Sequence, residues 1–300
     1  MTDFALLSTP SDWLPELRRR LVEAYRANGL PAGAAEAFVD QRAEKADGWT
    51  AAAVLDADGR RVGQVVLSTG DEQGRLLGRI RELWTDPALD PDGAHRRAAL
   101  AWARGWCAEQ GAYRISVGLT APDELFADYP VRGQARLKDL TDPAEVPAGA
   151  SHRPLTEAEY EEWVAEGMER YAGDILRAGS GTPEQARRKA EEDYRQLLPQ
   201  GRETEQTALV VLEADGEAIG HAWLKHQHLP GVSYGYSLDV APRFRGRGHG
   251  RAAMALGEQA VRAAGDRALM FTVWGGNEVA MNLYTATGYR VLEETRSQDL

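Results

Sequence analysis

The chain has 300 residues, a formal net charge of −11, 43% hydrophobic and 27% charged residues, and a single cysteine. That length admits two domains of ordinary size, and that balance is the balance of a soluble globular protein. The acidic charge argues against a nucleic-acid partner, no apolar run approaches the ~20 residues that span a bilayer, no secretory leader pattern opens the chain, and Cys107 alone excludes an internal disulfide. The expectation is a cytoplasmic protein with neither a nucleic-acid nor a membrane partner.

In chain order, residues 56–63 read as an acidic hairpin turn between two strands. A strand ends at Pro87, and a helix carrying Arg97, Ala99, Trp102, Trp106 and Cys107 closes at Gly111. Its apolar setting makes Cys107 a buried structural thiol rather than a nucleophile. A strand follows at 115–119. Residues 141–151, rich in Pro, Ala and Gly, form a linker. Beyond it, 156–167 and 183–198 are helical, with Thr182 as N-cap and Pro183 at the first helical position. Residues 207–212 and 218–225 are hairpin strands. The alternation of Tyr234, Tyr236, Leu238 and Val240 gives another strand, which Pro242 ends because it has no N–H to donate. A helix with Ala253, Met254, Leu256, Ala260 and Val261 on one side closes at Gly265. A strand at 268–273 and a helix starting near Asn277 complete the series.

The chain repeats itself. Residues 56–63 reappear as 213–220, 83–87 as 238–242, 97–100 as 251–254, and 129–140 as 289–300. Two copies of one fold are expected, over 1–141 and 152–300. Each reads strand, helices, strand hairpin, strand, helix, strand, helix, strand, which is an α/β class with a mixed sheet.

Between the strand ending at Val240 and the following helix, Gly246, Gly248 and Gly250 recur at every second position, accompanied by Arg243, Arg245, Arg247 and Arg251. Glycines allow a tight turn and close backbone approach. The free N–H groups and positive dipole end of the helix then favour a phosphate or pyrophosphate. No Gly-Lys-Ser/Thr follows, so the turn is not a P-loop, and no suitably placed acid completes a dinucleotide fingerprint.

The run Arg245-x-x-Gly248-x-Gly250 resembles the pyrophosphate loop of the GNAT superfamily of acyl-CoA-dependent N-acyltransferases. A second block is similar to that family as well: Asn277, Ala280, Leu283, Tyr284, Gly288 and Tyr289, after one helix and one strand. The resemblance covers roughly residues 152–300. It implies two tandem GNAT-like domains, each a mixed, mostly antiparallel twisted sheet flanked by helices. It also implies acetyl-CoA as co-substrate, no metal, and a sheet that splays open after the strand at Leu238 to admit the pantetheine arm. Arg245, Gly246, Arg247, Gly248, His249, Gly250 and Arg251 would hold the pyrophosphate, His249 through its backbone. The backbone of Leu238, Asp239 and Val240 would pair with pantetheine, and an N–H near Val240 would face the oxyanion. Asn277 would contact the CoA arm while capping its helix, with Asn282 facing the same groove. Tyr284 would act as the general acid.

In the first copy, residues 88–95 place Asp90 and Asp92 where arginines stand in the second, and keep one glycine, Gly93. Residues 120–128 are too short for the Asn-to-Tyr helix. The first copy therefore reads as degenerate and structural, an independent regulator site being the other reading. The general base stays open among His221, His226, His228 and Glu278. Tyr234 and Tyr236 are candidates to line the acceptor cleft, and Glu191, Glu192 and Asp193 are either an attractor for a cationic amine or a solvated helix face. The expected reaction is acetyl transfer to the amine of a small molecule, by a monomer or homodimer. A non-catalytic acyl-CoA sensor and an enzyme using a longer or carrier-bound acyl donor are the alternatives. Tandem members with one degenerate half, mycothiol synthase among them, are similar in organisation, but no motif singles that enzyme out.

Overall fold

The computed structural model describes residues 1–143, 145–179 and 181–300, so residue 144 of the expected linker lies outside the described residues. The N-terminal part runs β1 (Asp3–Leu7), α1 (Leu14–Ala27), α2 (Ala32–Ala43), β2 (Thr50–Leu55), β3 (Arg61–Glu72), β4 (Arg75–Thr85), α3 (Ala94–Glu109), β5 (Arg114–Leu119) and β6 (Val131–Asp139). The C-terminal part runs β7 (Ala150–Pro154), α4 (Glu157–Arg177), α5 (Pro183–Leu197), β8 (Thr207–Ala214), β9 (Glu217–Leu229), β10 (Val232–Val240), α6 (His249–Ala263), β11 (Ala268–Trp274), α7 (Glu278–Ala286) and β12 (Arg290–Asp299). The two series match element for element as far as β5. Where the second inserts α7, the first has a single 3₁₀ turn at Glu124–Phe126.

The chain divides into two compact units, and neither is a contiguous stretch. The first comprises Met1–Ala27, Ala35–Arg132 and Glu293–Leu300; the second comprises Asn28–Ala34 and Gly133–Leu292. The repeat boundaries at 141 and 152 do not coincide with this division, because the final strand of each repeat is counted with the other unit. The first unit's sheet runs β1-β2-β3-β4-β5-β12, and the second's runs β6-β11-β10-β9-β8-β7. Pairing is antiparallel except for two matched parallel contacts, β4 with β5 and β10 with β11. In the first unit, β12 lies along β5 from Glu294↔Leu119 to Asp299↔Arg114. In the second, β6 lies along β11 from Ala268↔Asp139 to Trp274↔Gly133.

The second unit is a sheet with helices on both faces, as the alternation in β8 requires. Leu209 and Val211 pack with Trp163 of α4, Tyr194 of α5 and Trp223 of β9. Val210 and Leu212 pack instead with Phe244 and with Ala253 and Leu256 of α6. Each buried Leu contributes about 1.5–3 kcal/mol, and a one-residue slip would exchange the faces, so the register is firmly set. In the first unit, Val54, Val65, Leu67 and Ile80 meet Ala99, Ala103 and Cys107 of α3. Cys107 is fully buried, and burial pushes its thiol up to about 11.

Helix starts follow their caps. Thr156 and Glu159 form a capping box at α4. Thr182 and Gln185 form another at α5, with Pro183 at the first position as expected. Helix α4, however, runs ten residues beyond its expected end at Gly167. That glycine is not a stop: it makes room for the Tyr194 side chain, which would collide with a Cβ there. Among the described residues, no helix is long and apolar enough to cross a membrane.

Candidate active site

The site begins where two strands part. Strands β10 and β11 pair in parallel only from Val232↔Ala268 to Gly235↔Phe271. Beyond that, β11 stays with β6 and β10 stays with β9. The β10–β9 register shifts between Gly235 and Ser237, leaving Tyr236 as the extra residue of a bulge. A bulge bends its strand and disrupts the local ladder, so the sheet opens at Tyr236 rather than after Leu238. The Ala241 N–H donates to Ile219 O at 2.8 Å. By strand alternation, Leu238 and Val240 therefore turn their N–H and C=O groups away from β9, into the opening.

Past β10 the chain makes a 3₁₀ turn at Pro242–Phe244 and enters α6 through Gly248. Gly246 and Gly248 have φ of +75° and +87°, the left-handed region that favours glycine, and a Cβ at either would meet nothing within 4 Å. The turn is thus open on its outer side, and the first N–H groups of α6 have no partner within the helix. Arg243, Arg245, Arg247 and Arg251 are all exposed around it. Arg245 Nε donates to Val240 O at 2.8 Å, tying the turn to the strand end. The His249 ring stands edge-on to Phe244 at 5.7 Å. Gly250 lies under α7, where a Cβ would approach Leu283 Cδ2 to 3.1 Å. These residues fit a pyrophosphate: open space beside Gly246 and Gly248, N–H donors at a helix start, and four arginines.

Asn277 caps α7, its Oδ1 accepting from Ala280 N at 3.3 Å. Tyr284, on the same helix, packs against Phe271 at 4.4 Å between ring centroids. Its hydroxyl meets no hydrogen-bond partner among the described residues. Burial, with a smaller contribution from the Asp174 carboxylate and against the opposing effect of Arg136, pushes this phenol up to about 12. Asn282 is exposed and lines neither of the cavities described next.

A cavity of about 530 Å³ lies between α4, α5 and the parted strands. Ser237, Leu238 and Asp239 of β10, Thr272 and Trp274 of β11, and Asn277 and Tyr284 border it on the sheet side. Arg170, Tyr171 and Asp174 of α4 and Asp193 and Tyr194 of α5 border it opposite. A smaller cavity of about 50 Å³ runs on toward α6, walled by Leu238, Met254, Gly257, Phe271 and again Tyr284. Leu238, Ser237 and Tyr284 belong to both. Val240 belongs to neither: it sits two residues further toward the arginine turn, about 7 Å along the strand at ~3.4 Å per residue, with its carbonyl engaged by Arg245.

None of the four histidine and glutamate candidates for the base lines the large cavity. Strand β9 continues past the expected end at residue 225 to Leu229, so His226 and His228 are strand residues. His226 Nδ1 is 2.9 Å from Ser233 Oγ, whose hydroxyl donates to Asp266, and the His228 ring rests on Tyr234 at 4.9 Å. Burial lowers the pKa of both histidines. Glu278 is exposed. His221 lies opposite Asp239 across the ladder, at 3.9 Å from its carboxylate. Of the α5 acids, Glu191 and Glu192 are exposed and only Asp193 reaches the cavity. The cavity's carboxylates are Asp174, Asp193 and Asp239. Asp193 accepts from Tyr171 Oη at 2.8 Å and from Lys189, and Asp239 from Arg170 at 3.3 Å. Tyr234 donates to Thr272 Oγ1 at 3.1 Å, and Tyr236 packs on Trp223 at 4.7 Å. Among the described residues, no group of histidine, cysteine and acidic side chains is placed to hold a metal ion.

Residues 174–289, which contain the parted strands, the arginine turn and Tyr284, match the Acetyltransferase (GNAT) family. The chain thus carries a GNAT acetyltransferase region over residues 174–289. It is an N-acetyltransferase by relationship as well. The uncharacterised N-acetyltransferase YycN of Bacillus subtilis is 27% identical over 150 residues, covering 49% of this chain and 96% of that protein. A mycothiol acetyltransferase of Clavibacter michiganensis subsp. michiganensis is 29% identical over 259 residues, 81% of this chain and 78% of its own. The crystal structure of a GCN5-related N-acetyltransferase from Sphaerobacter thermophilus shares the fold, with a TM-score of 0.61 over 99% of this chain and 95% of that one, at 18% identity.

The sequence did not reveal Arg170, Tyr171, Asp174, Trp223, Ser237 or Trp274 as cavity residues. The extension of α4 past Gly167 places the first three. A helical period counted through Gly167 would have put Tyr171 and Asp174 on the side of Trp163 and Gly167.

Proposed function

We propose that this chain moves an acetyl group from acetyl-CoA to the amine of a small molecule by direct attack on the thioester, in the second unit. The observation that carries the proposal is the position of Tyr284: its side chain, with a hydroxyl that has no partner among the described residues, borders both the large cavity and the narrow one. The arginine turn from Arg245 to Arg251 receives the pyrophosphate, and the strand edge at Leu238 to Val240 receives the pantetheine arm. Acetyl-CoA supplies the activated acyl group; the protein supplies position, charge and protons. The Leu238 N–H, which turns into the opening beside Tyr284, is better placed than Val240 to stabilise the carbonyl oxygen as it gains charge. The amine forms the C–N bond, the C–S bond breaks, and Tyr284 gives its proton to the departing sulfur. A thiol titrates near pH 8.5 and this phenol well above, so Tyr284 is protonated when the proton is needed. The proton lost by the amine leaves through water in the large cavity.

The first unit holds no second donor site in this reading, because the Asp90 carboxylate takes the place of the anion at the N-terminus of α3. The test is release of free thiol from a panel of acyl-CoAs and amines, with acetyl-CoA titrated by calorimetry. Amine-dependent thiol release and one donor per chain are expected. Binding without thiol release for any amine would make the protein a sensor, and two donors per chain would overturn the assignment of the first unit.

A further inference from the structure

The large cavity says more about the acceptor than that it is an amine. Its walls carry three carboxylates, Asp174, Asp193 and Asp239, and, among the described residues, one cation, Arg170. That cation is already engaged, donating to Asp239 at 3.3 Å and to Glu166 at 3.1 Å. Behind the wall Arg177 pairs with Asp174 and Lys189 with Asp193, so a carboxylate brought in with the acceptor would find no uncommitted basic group among the described residues, whereas an ammonium would meet carboxylate oxygens. The apolar lining is aromatic: Tyr171 and Trp274 are 6.4 Å apart, and Trp223, Tyr236 and Tyr234 follow one another at 4.7 and 4.9 Å. Such rings accept a flat apolar body and stabilise a nearby cation.

Two polar atoms on this wall are unmatched. Trp223 is only 2% exposed, and its indole N–H meets no acceptor among the described residues; Ser237 Oγ is likewise buried without a partner among them. The two residues face each other across the β9–β10 ladder, beside the Tyr236 bulge. A buried donor without an acceptor is costly and calls for one. An indole N–H can only donate, so the complement is an oxygen. With carboxylates disfavoured by the wall charge, that oxygen is neutral.

We infer that the acceptor is a small amine that carries a neutral oxygen function, a hydroxyl or an amide carbonyl, and no carboxylate; this rests on the acetyltransferase reading above. The ammonium faces the aspartates before it loses its proton, the oxygen faces Trp223 and Ser237, and the apolar body lies on the rings.

Three commercial amines with one skeleton separate these features: 2-phenylethylamine, with no oxygen; phenylalaninol, with a hydroxyl; and phenylalanine, with a carboxylate. Thiol release from acetyl-CoA gives kcat/KM for each. Phenylalaninol should exceed 2-phenylethylamine by about tenfold, the value of one hydrogen bond, and phenylalanine by on the order of 10²-fold, the effect of like charge. Trp223→Phe should bring phenylalaninol down to the level of 2-phenylethylamine. Ser237→Ala, a smaller change, should do so in part and guards against a misfolded Trp223 variant. The inference is overturned if phenylalanine is used as well as phenylalaninol, if the hydroxyl gives no advantage, or if neither variant narrows the difference. No turnover of any of the three, with acetyl-CoA still bound by calorimetry, would overturn the acceptor class and leave the donor site standing. Absence of acetyl-CoA binding would remove the transferase reading itself.

Discussion

The carboxylate of Asp90 accepts a hydrogen bond from the backbone N–H of His95 at 3.0 Å, and a second from Arg96 N at 2.9 Å. It thus occupies, with the protein's own charge, the N-terminus of α3, the counterpart of the N-terminus that α6 leaves open. Asp90 is 6% exposed. Burial alone would raise its pKa, but the two N–H bonds outweigh burial and hold the carboxyl below the usual carboxylate range. Stability gained this way is fully present above the unfolded value near 3.9 and is lost as pH falls through the lower folded value. Asp90→Ala should therefore cost about 1–2 kcal/mol at neutral pH, and the gap to the parent should close in acid. Urea unfolding at both pH values measures it. A constant gap would mean that Asp90 acts by packing and not by charge.

Tyr284→Phe removes the proton source and keeps the ring against Phe271. We expect kcat to fall on the order of 10²-fold with acetyl-CoA affinity nearly unchanged. Because the phenol is pushed up to about 12, the parent's kcat should show no loss of this acid through the neutral and mildly alkaline range. Wild-type kcat in the variant, measured where chemistry limits the rate, would reduce Tyr284 to a packing residue.

Gly248→Glu places a carboxylate among the arginines of the turn, at a φ of +87°. Acetyl-CoA binding should be abolished, while thermal unfolding moves only by the strain of a left-handed residue, on the order of 1 kcal/mol. The corresponding Gly93→Glu, at φ +68°, carries similar strain and should leave donor affinity nearly unaltered. Equal losses in the two variants would contradict the assignment of the donor site to the second unit.

In the first unit, Arg42 grips the buried Glu293 with both nitrogens, at 2.5 and 2.9 Å, and Tyr25 donates to the same carboxylate. Glu293→Gln keeps the shape and leaves the Arg42 charge without its counter-ion. A loss of about 3 kcal/mol in unfolding free energy is expected. A loss under a quarter of that, on the scale of an exposed ion pair, would show that water reaches the cluster.

What the sequence disclosed is what glycine geometry and short spacing encode. Gly246 and Gly248 adopt the left-handed backbone that their turn needs, and the Asn277-to-Tyr289 block lies on one helix and the turn after it, so both were legible locally. The large cavity was not. Gly167 reads as a helix end in sequence, yet in the fold it is the gap into which Tyr194 leans, and the helix beyond it delivers Arg170, Tyr171 and Asp174. The Tyr236 bulge is a pairing irregularity with no composition of its own. His226 and His228 lie past the expected strand end at residue 225, but the ladder to β10 carries β9 as far as Leu229. The borrowed strands were equally hidden, since the alternation in β6 and β12 is the same whichever neighbour they join.

That borrowing has a consequence for how the molecule is made. Synthesis proceeds from the N-terminus, and domains ordinarily fold as they emerge. Here the strand that covers β5, and with it the Glu293 counter-ion for Arg42, is translated only after the entire second unit. The first unit must therefore wait, with an open sheet edge and with Arg42 lacking its counter-ion, while its neighbour is built. Damage to residues 293–300 would accordingly be felt near the start of the sequence: a nick or frameshift there would unmake the N-terminal unit and turn the whole chain over to proteolysis, although the arginine turn and Tyr284 had been copied without error.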